Sequence, residues 1–166
     1  KCVRGKNVCE ARAKLIMVEA NCTKVYFHEY LSLFGFEKIP SRQLANKHGV
    51  KDIFNNVLNL SCEVLKAECF RACYNARLDP FLGFLHSTKH GKPAMVCDLR
   101  EYFRVEVNEF LYKSWDWIDM ERIEAVSGRE FLQNDEALRL IIMLNEFLDR
   151  KRKTRVRFGT SPKCTR

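Results

Sequence analysis

From Val8 to Phe34, apolar residues return every three or four positions with no Gly or Pro between them, the spacing of one long helix that ends at Gly35. Residues 35–51 then carry Gly35, Pro40, Ser41, His48 and Gly49, a polar connection with room for a short helix around Ser41–Lys47. A second helical pattern runs from Asp52, a suitable N-cap, to Asn75, with Phe54, Leu58, Cys62, Leu65, Cys69 and Cys73 on its inward stripe. In the segment Leu78 to His86, Pro80 is placed to open a short helix and Gly83 permits close approach of another element. Residues 87–92 read as a polar loop, and Pro93 opens a further helix to about Lys113.

The spacing of Trp115–Val126 predicts more helix, broken by Ser127-Gly128, and Asn134 is expected to cap a last amphipathic helix to about Arg150. No alternating segment has the length of a convincing strand. The pattern therefore predicts a single all-α, multi-helix domain without internal repeats.

Composition changes this picture in three ways. The 166 residues suit one ordinary domain, and 46% hydrophobic with 30% charged residues excludes a low-complexity or disordered chain. No apolar run approaches the roughly 18–20 residues of a membrane span, so a soluble protein with no membrane partner is expected. The first residue is Lys1 and no signal-like segment follows it, so the chain reads as a piece of a longer protein. Its eight cysteines include no C-x-x-C pair, which argues against a zinc site, and Cys62, Cys69 and Cys73 stack on one helical face as small hydrophobes. The net charge of +8 is concentrated: residues 150–166 hold eight Lys/Arg and no acid. The expected division is thus a helical domain over residues 1–149 and a basic tail over 150–166, the kind of footprint left by phosphate-backbone binding.

Three side chains interrupt apolar surroundings. Glu19 shares a helix face with Leu15, Cys22, Tyr26 and Tyr30, so a buried carboxylate with a cationic partner is the plainest expectation. His86 closes an apolar run just before a polar loop, and Asp98 follows Ala94-Met95-Val96-Cys97 on the helix opened by Pro93. Glu101 and Arg104 continue a charged row from Asp98 at i+3 spacing, which by itself reads as a self-paired, solvated row. Taken singly, each is more often structural. Together, two carboxylates and an imidazole from three elements suit Mn²⁺ or Mg²⁺, with positions left for water or a phosphate oxygen. No P-loop, H-E-x-x-H or G-x-S-x-G pattern competes, and no Cys has flanks that single it out as a nucleophile.

The segment Leu78-Asp79-Pro80-Phe81-Leu82-Gly83-Phe84-Leu85-His86, followed by Asp98-Leu99-Arg100-Glu101-Tyr102-Phe103-Arg104, resembles the signature of the CRISPR-associated "Cas one" family. Its pattern reads approximately G-L-x-P-x-x-G-F-L-H, a variable loop, then D-L-x-E-x-F-R. Asp52-x-x-Asn55-x-x-Leu58-Asn59 and Glu19-Ala20 with Tyr26-Phe27 resemble two earlier helices of the same family. The four motifs occur in order across roughly residues 12–115.

The resemblance implies the family's C-terminal helical catalytic domain, its N-terminal β domain being absent from this chain. It implies that Glu19, His86 and Asp98 bind Mg²⁺ or Mn²⁺ and catalyse the attack of a DNA 3′-hydroxyl on a repeat phosphodiester, the integrase or endonuclease step of spacer acquisition. Asn55, Asn59 and Glu101 are expected to support the site, and Arg71, Arg77, Lys92 and Arg104 to contact DNA phosphates. Partners implied are double-stranded and branched DNA, a second copy joined through the N-terminal domain, and the small "Cas two" protein. The sequence departs from the pattern at Leu60-Ser61-Cys62, where an aromatic residue is usual, at Arg77, where Gly is usual, and at Tyr102, where Pro or Ile is frequent. A transposon-encoded integrase is the near alternative. A non-enzymatic DNA-binding module resting on the basic tail, or a scaffold using Trp115 and Trp117, are the readings from other classes.

Overall fold

A computed structural model describes residues 8–35, 52–87, 90–126 and 128–158. The expected short helix at 41–47 lies outside the described residues. Four long helices, α1 (Val8–Ser32), α2 (Ile53–Asn75), α3 (Ala94–Ser114) and α4 (Asn134–Phe158), make up most of the domain, as the periodicity predicts. α4 continues past Arg150, so the first half of the basic segment is helical.

α2 and α3 form the central pair, with α4 laid against both. α2 begins where the sequence places its cap: the Asp52 carboxylate accepts from the Asn55 backbone N–H at 2.8 Å. Its inward stripe of Phe54, Leu58, Cys62, Leu65, Cys69 and Cys73 is buried as expected. Burial pushes the Cys69 thiol up to about 11, so it behaves as an inert hydrophobe. α3 and α4 run antiparallel, because Phe147 packs on Phe110 while Lys151, one turn later, reaches back to Glu109 and Glu106.

α1 joins this core by its C-terminal end alone. Phe27, Tyr30 and Leu31 are its buried residues, and Phe34 just beyond it sits among Phe54 and Trp115 at ring distances of 4.9 and 5.4 Å. The Tyr30 hydroxyl donates to the Asn108 carbonyl at 2.7 Å, and the Asn108 amide donates to the Tyr26 hydroxyl at 2.8 Å. The expected apolar stripe through Leu15, Glu19, Cys22 and Tyr26 is therefore corrected: these residues are exposed or half-exposed, because the aromatic cluster engages only the last turns of α1.

Two further expectations are revised. Trp115–Val126 is not one helix but two 3-10 turns, Trp115–Trp117 and Met120–Arg122, and a strand, β1 (Ile123–Val126). β1 pairs antiparallel with β2 (Arg129–Leu132), and just before β2 Gly128 takes φ +72°, a conformation open to Gly at little cost. The strands show no alternation because only their ends, Ile123 and Leu132, are partly buried. This hairpin packs on the start of α2, where the Ile53 N–H, one of the free donors of a helix N-terminus, is met by the Glu130 carboxylate at 2.8 Å. Nor does Pro80 open a helix. The Asp79 carboxylate turns the chain by accepting from the Phe81 N–H at 2.8 Å, and the Pro80 carbonyl is given instead to the Met95 N–H at 3.0 Å.

Candidate functional site

The loop from Pro80 to His86 and the first turns of α3 are tied together by reciprocal backbone bonding. The loop supplies an acceptor, the Pro80 carbonyl, to the otherwise unpaired first-turn donors Met95 and Val96. α3 returns an acceptor, the Asp98 carboxylate, to the loop's donors. Asp98 Oδ2 accepts from the Phe84 and Leu85 N–H groups at 2.5 and 3.0 Å, and Oδ1 accepts from the His86 N–H at 3.0 Å. The His86 ring completes the arrangement, its Nδ1 lying 2.6 Å from Asp98 Oδ1.

This loop can come so close because residue 83 is Gly. A Cβ there would meet the Ala94 carbonyl carbon at 2.7 Å and Asp98 Oδ2 at 2.8 Å. Burial works to raise the Asp98 pKa, but the hydrogen bonds from the His86 ring and the three backbone N–H groups outweigh it and hold the carboxyl below its usual value. An ionised Asp98 facing Nδ1 selects the tautomer with the proton on Nδ1. The lone pair is then on Nε2, on a side chain that is one-quarter exposed.

The structure brings His86 and Asp98 together as a pair. Glu19, on α1, is half-exposed; among the described residues its carboxylate accepts from the Thr23 hydroxyl one turn on at 2.9 Å and from no cation. Two turns before Glu19 on the same face of α1, Arg12 donates its Nε to the Phe84 carbonyl at 2.9 Å. Nothing in the sequence singled out Arg12 except that spacing. Among the described residues no three His, Cys, Asp or Glu side chains gather into a metal-binding cluster. The donor types do suit a hard divalent cation: two carboxylates, one of them held ionised, and an imidazole with its Nε2 lone pair outward.

The supporting residues divide by environment. Asn55 is fully buried and donates its side-chain amide to both Asp52 oxygens, at 2.9 and 3.1 Å, so it reinforces the α2 cap. Asn59 is half-buried on the same helix. Glu101 is bonded by Arg104 at 2.7 Å and by Arg100 at 3.3 Å, and the Arg104 guanidinium lies 5.9 Å from the Phe27 ring centre. The expected self-pairing is present, but it is half-buried and clamps α3 to α1 rather than facing solvent. Arg71 is exposed and ion-paired with Glu68, and Arg77 and Lys92 are exposed.

No helix among the described residues is long and apolar enough to cross a membrane. Residues 1–139 match the family model described as CRISPR associated protein Cas1. A CRISPR-associated endonuclease Cas1 of Francisella tularensis subsp. novicida is 31% identical over 127 residues, covering 67% of this chain and 40% of that protein. Among solved structures, a casposase bound to integration product superposes with a TM-score of 0.72 at 22% identity, over 87% of this chain and 43% of that one. A Cas1 protein from Thermotoga maritima gives 0.68 at 20% identity, over 86% and 45%. The chain thus spans less than half the length of these relatives, and at these identities the two structures speak for a shared fold. With the match extending over most of the chain and through the His86–Asp98 loop, the protein belongs to the Cas1 family.

Proposed function

We propose that this domain carries the catalytic centre of a DNA integrase and endonuclease that joins a DNA 3′-hydroxyl to a repeat phosphodiester in CRISPR spacer acquisition. The observation that carries the reading is the His86–Asp98 clamp, a 2.6 Å pair held by three consecutive loop N–H groups that all donate to one carboxylate. Such bonding sets the ring's tautomer and fixes its orientation before any substrate arrives. His86 Nε2 then offers its lone pair to a cation or to the proton of an attacking hydroxyl. Glu19 lies on α1 two turns after Arg12, whose Nε holds that helix to the Phe84 carbonyl.

Glu19, His86 and Asp98 would hold Mg²⁺ or Mn²⁺. Bound there, the cation would supply Lewis-acid stabilisation for the charge that develops on the phosphodiester. Arg71, Arg77 and Lys92 contact backbone phosphates, which positions DNA without reading its sequence. The working assembly includes a second copy of the protein and the small "Cas two" protein.

Replacing His86 with Ala tests the reading. Strand transfer on branched DNA should be abolished and saturable Mn²⁺ binding, followed by the free metal's paramagnetic signal, lost, while the helical circular dichroism is unchanged. Equal strand transfer by His86→Ala and the unmodified protein would overturn it.

A further inference from the structure

Phe84 is held at both of its backbone polar groups while its side chain stays outside. Its N–H donates to Asp98 Oδ2 at 2.5 Å, and its carbonyl accepts from Arg12 Nε at 2.9 Å. The ring is 76% exposed, and among the described residues it meets no other ring and no cation. One exposed apolar side chain is ordinary on a protein surface. Phe84 differs in that the backbone carrying it is fixed between an α3 carboxylate and an α1 cation, two residues before His86. The residues on either side are anchored as well, Gly83 by its close approach to Ala94 and Leu85 by its N–H to Asp98 Oδ2 at 3.0 Å.

Arg12 is the other half of this surface. Its Nε–H is spent on Phe84, and among the described residues the terminal guanidinium nitrogens, Nη1 and Nη2, have no acceptor. The charge is therefore unpaired while the plane of the group is set by the carbonyl it holds. A guanidinium is charged at every ordinary pH, and its forked N–H groups match two oxygens of one phosphate. The Phe84 carbonyl and the Leu85 N–H belong to one peptide group, whose far side bonds Asp98, so Arg12 Nε lies within about 8 Å of that carboxylate.

The ligand chemistry follows from this pairing of groups on a single anchored residue. A small inorganic anion would engage Arg12 and leave the ring idle, and an apolar ligand would leave the guanidinium without a counter-charge. A nucleotide unit uses both, its phosphate on the fork and its base on the ring face.

We infer that Arg12 and Phe84 form a subsite for the nucleotide adjoining the reacting phosphodiester, Arg12 holding its phosphate and Phe84 stacking on its base. This rests on the DNA-acting reading above and names the residues that hold the strand beside His86.

Phe84→Ala removes the ring but keeps both backbone bonds, so it separates stacking from the anchoring of the loop. By anisotropy of a labelled branched DNA, Phe84→Ala should bind about tenfold more weakly, while Phe84→Trp, which keeps a stacking face, stays within about threefold of the unmodified protein. Changes to the DNA test for direct contact. In a scan of abasic replacements beside the branch, one position should weaken binding of the unmodified protein by a similar factor and that of Phe84→Ala by less than about twofold. A neutral methylphosphonate at the neighbouring phosphate should likewise weaken the unmodified protein and leave Arg12→Gln almost unaffected. Unchanged helical circular dichroism shows that the variants fold. Equal affinity in Phe84→Ala, or abasic penalties as large in Phe84→Ala as in the unmodified protein at every position, overturns the inference. Strand transfer separates the two levels. Strand transfer by the unmodified protein with DNA binding indifferent to Phe84 sinks this subsite alone, and absence of both strand transfer and DNA binding removes the DNA-acting reading together with the subsite.

Discussion

Arg77 takes φ +57° in the turn that ends α2, where the Leu78 N–H bonds the Cys73 carbonyl at 2.9 Å and the Arg77 N–H bonds the Tyr74 carbonyl at 3.0 Å. This is a Schellman cap, whose left-handed position favours Gly, and it explains why Gly is usual there in the resembling pattern. Arg77→Gly should stabilise the protein by about 0.5–1 kcal/mol, visible as a higher urea midpoint. Gly83 shows the opposite case. Because an added Cβ would press on the Ala94 backbone and Asp98, Gly83→Ala should cost about 1–3 kcal/mol and cut strand transfer along with stability. Both glycine-type positions were marked in the sequence by punctuation alone, Gly83 as a site of close approach and Arg77 as a departure from a motif. What each position demands, a backbone dihedral in one and 2.8 Å of clearance in the other, became visible only with the fold.

Between elements, Glu109 is the tie from α3 to α4, accepting from Lys113 at one oxygen and from Lys151 at the other, each at 2.7 Å. The hydrogen bonds from Lys113 and then Lys151 hold its pKa below the ordinary 4.5. A carboxylate whose folded pKa is depressed adds stability above its unfolded value and loses it as pH falls through the folded value. At one-third exposure the contribution is under about 1 kcal/mol. The difference in unfolding free energy between the unmodified protein and Glu109→Gln should be flat from about pH 6 to 8, begin to shrink near the ordinary value of 4.5, and vanish as pH falls through the lower folded value, as chemical denaturation across pH would read. Lys151, raised above 10.5 by the same bond, keeps its share until pH climbs past that value. The helices themselves were legible from spacing, since α2 buries the stripe that the 3.6-residue period picks out. The hairpin was not, because strands whose middles face solvent carry no alternation to read.

At the scale of the molecule, α1 is apolar on the side away from the core as well. Val8, Leu15, Val18 and Val25 fall along one stripe and are all exposed, an arrangement that favours a partner surface. Leu15→Lys with Val25→Lys should leave the urea midpoint within about 0.5 kcal/mol of the unmodified value. The same pair should suppress concentration-dependent association measured by sedimentation. By itself the sequence determined which four segments become the long helices, that Asp52 caps α2, and that three cysteines are buried together. These are properties of short-range spacing and of residue types that a continuous stretch of chain carries. Tertiary structure decided the rest. Whether Pro80 begins a helix and how the loop bonds to Asp98 both depend on which groups meet across elements. Hydrogen-bond partners separated by 12 residues or more are not encoded in any local period.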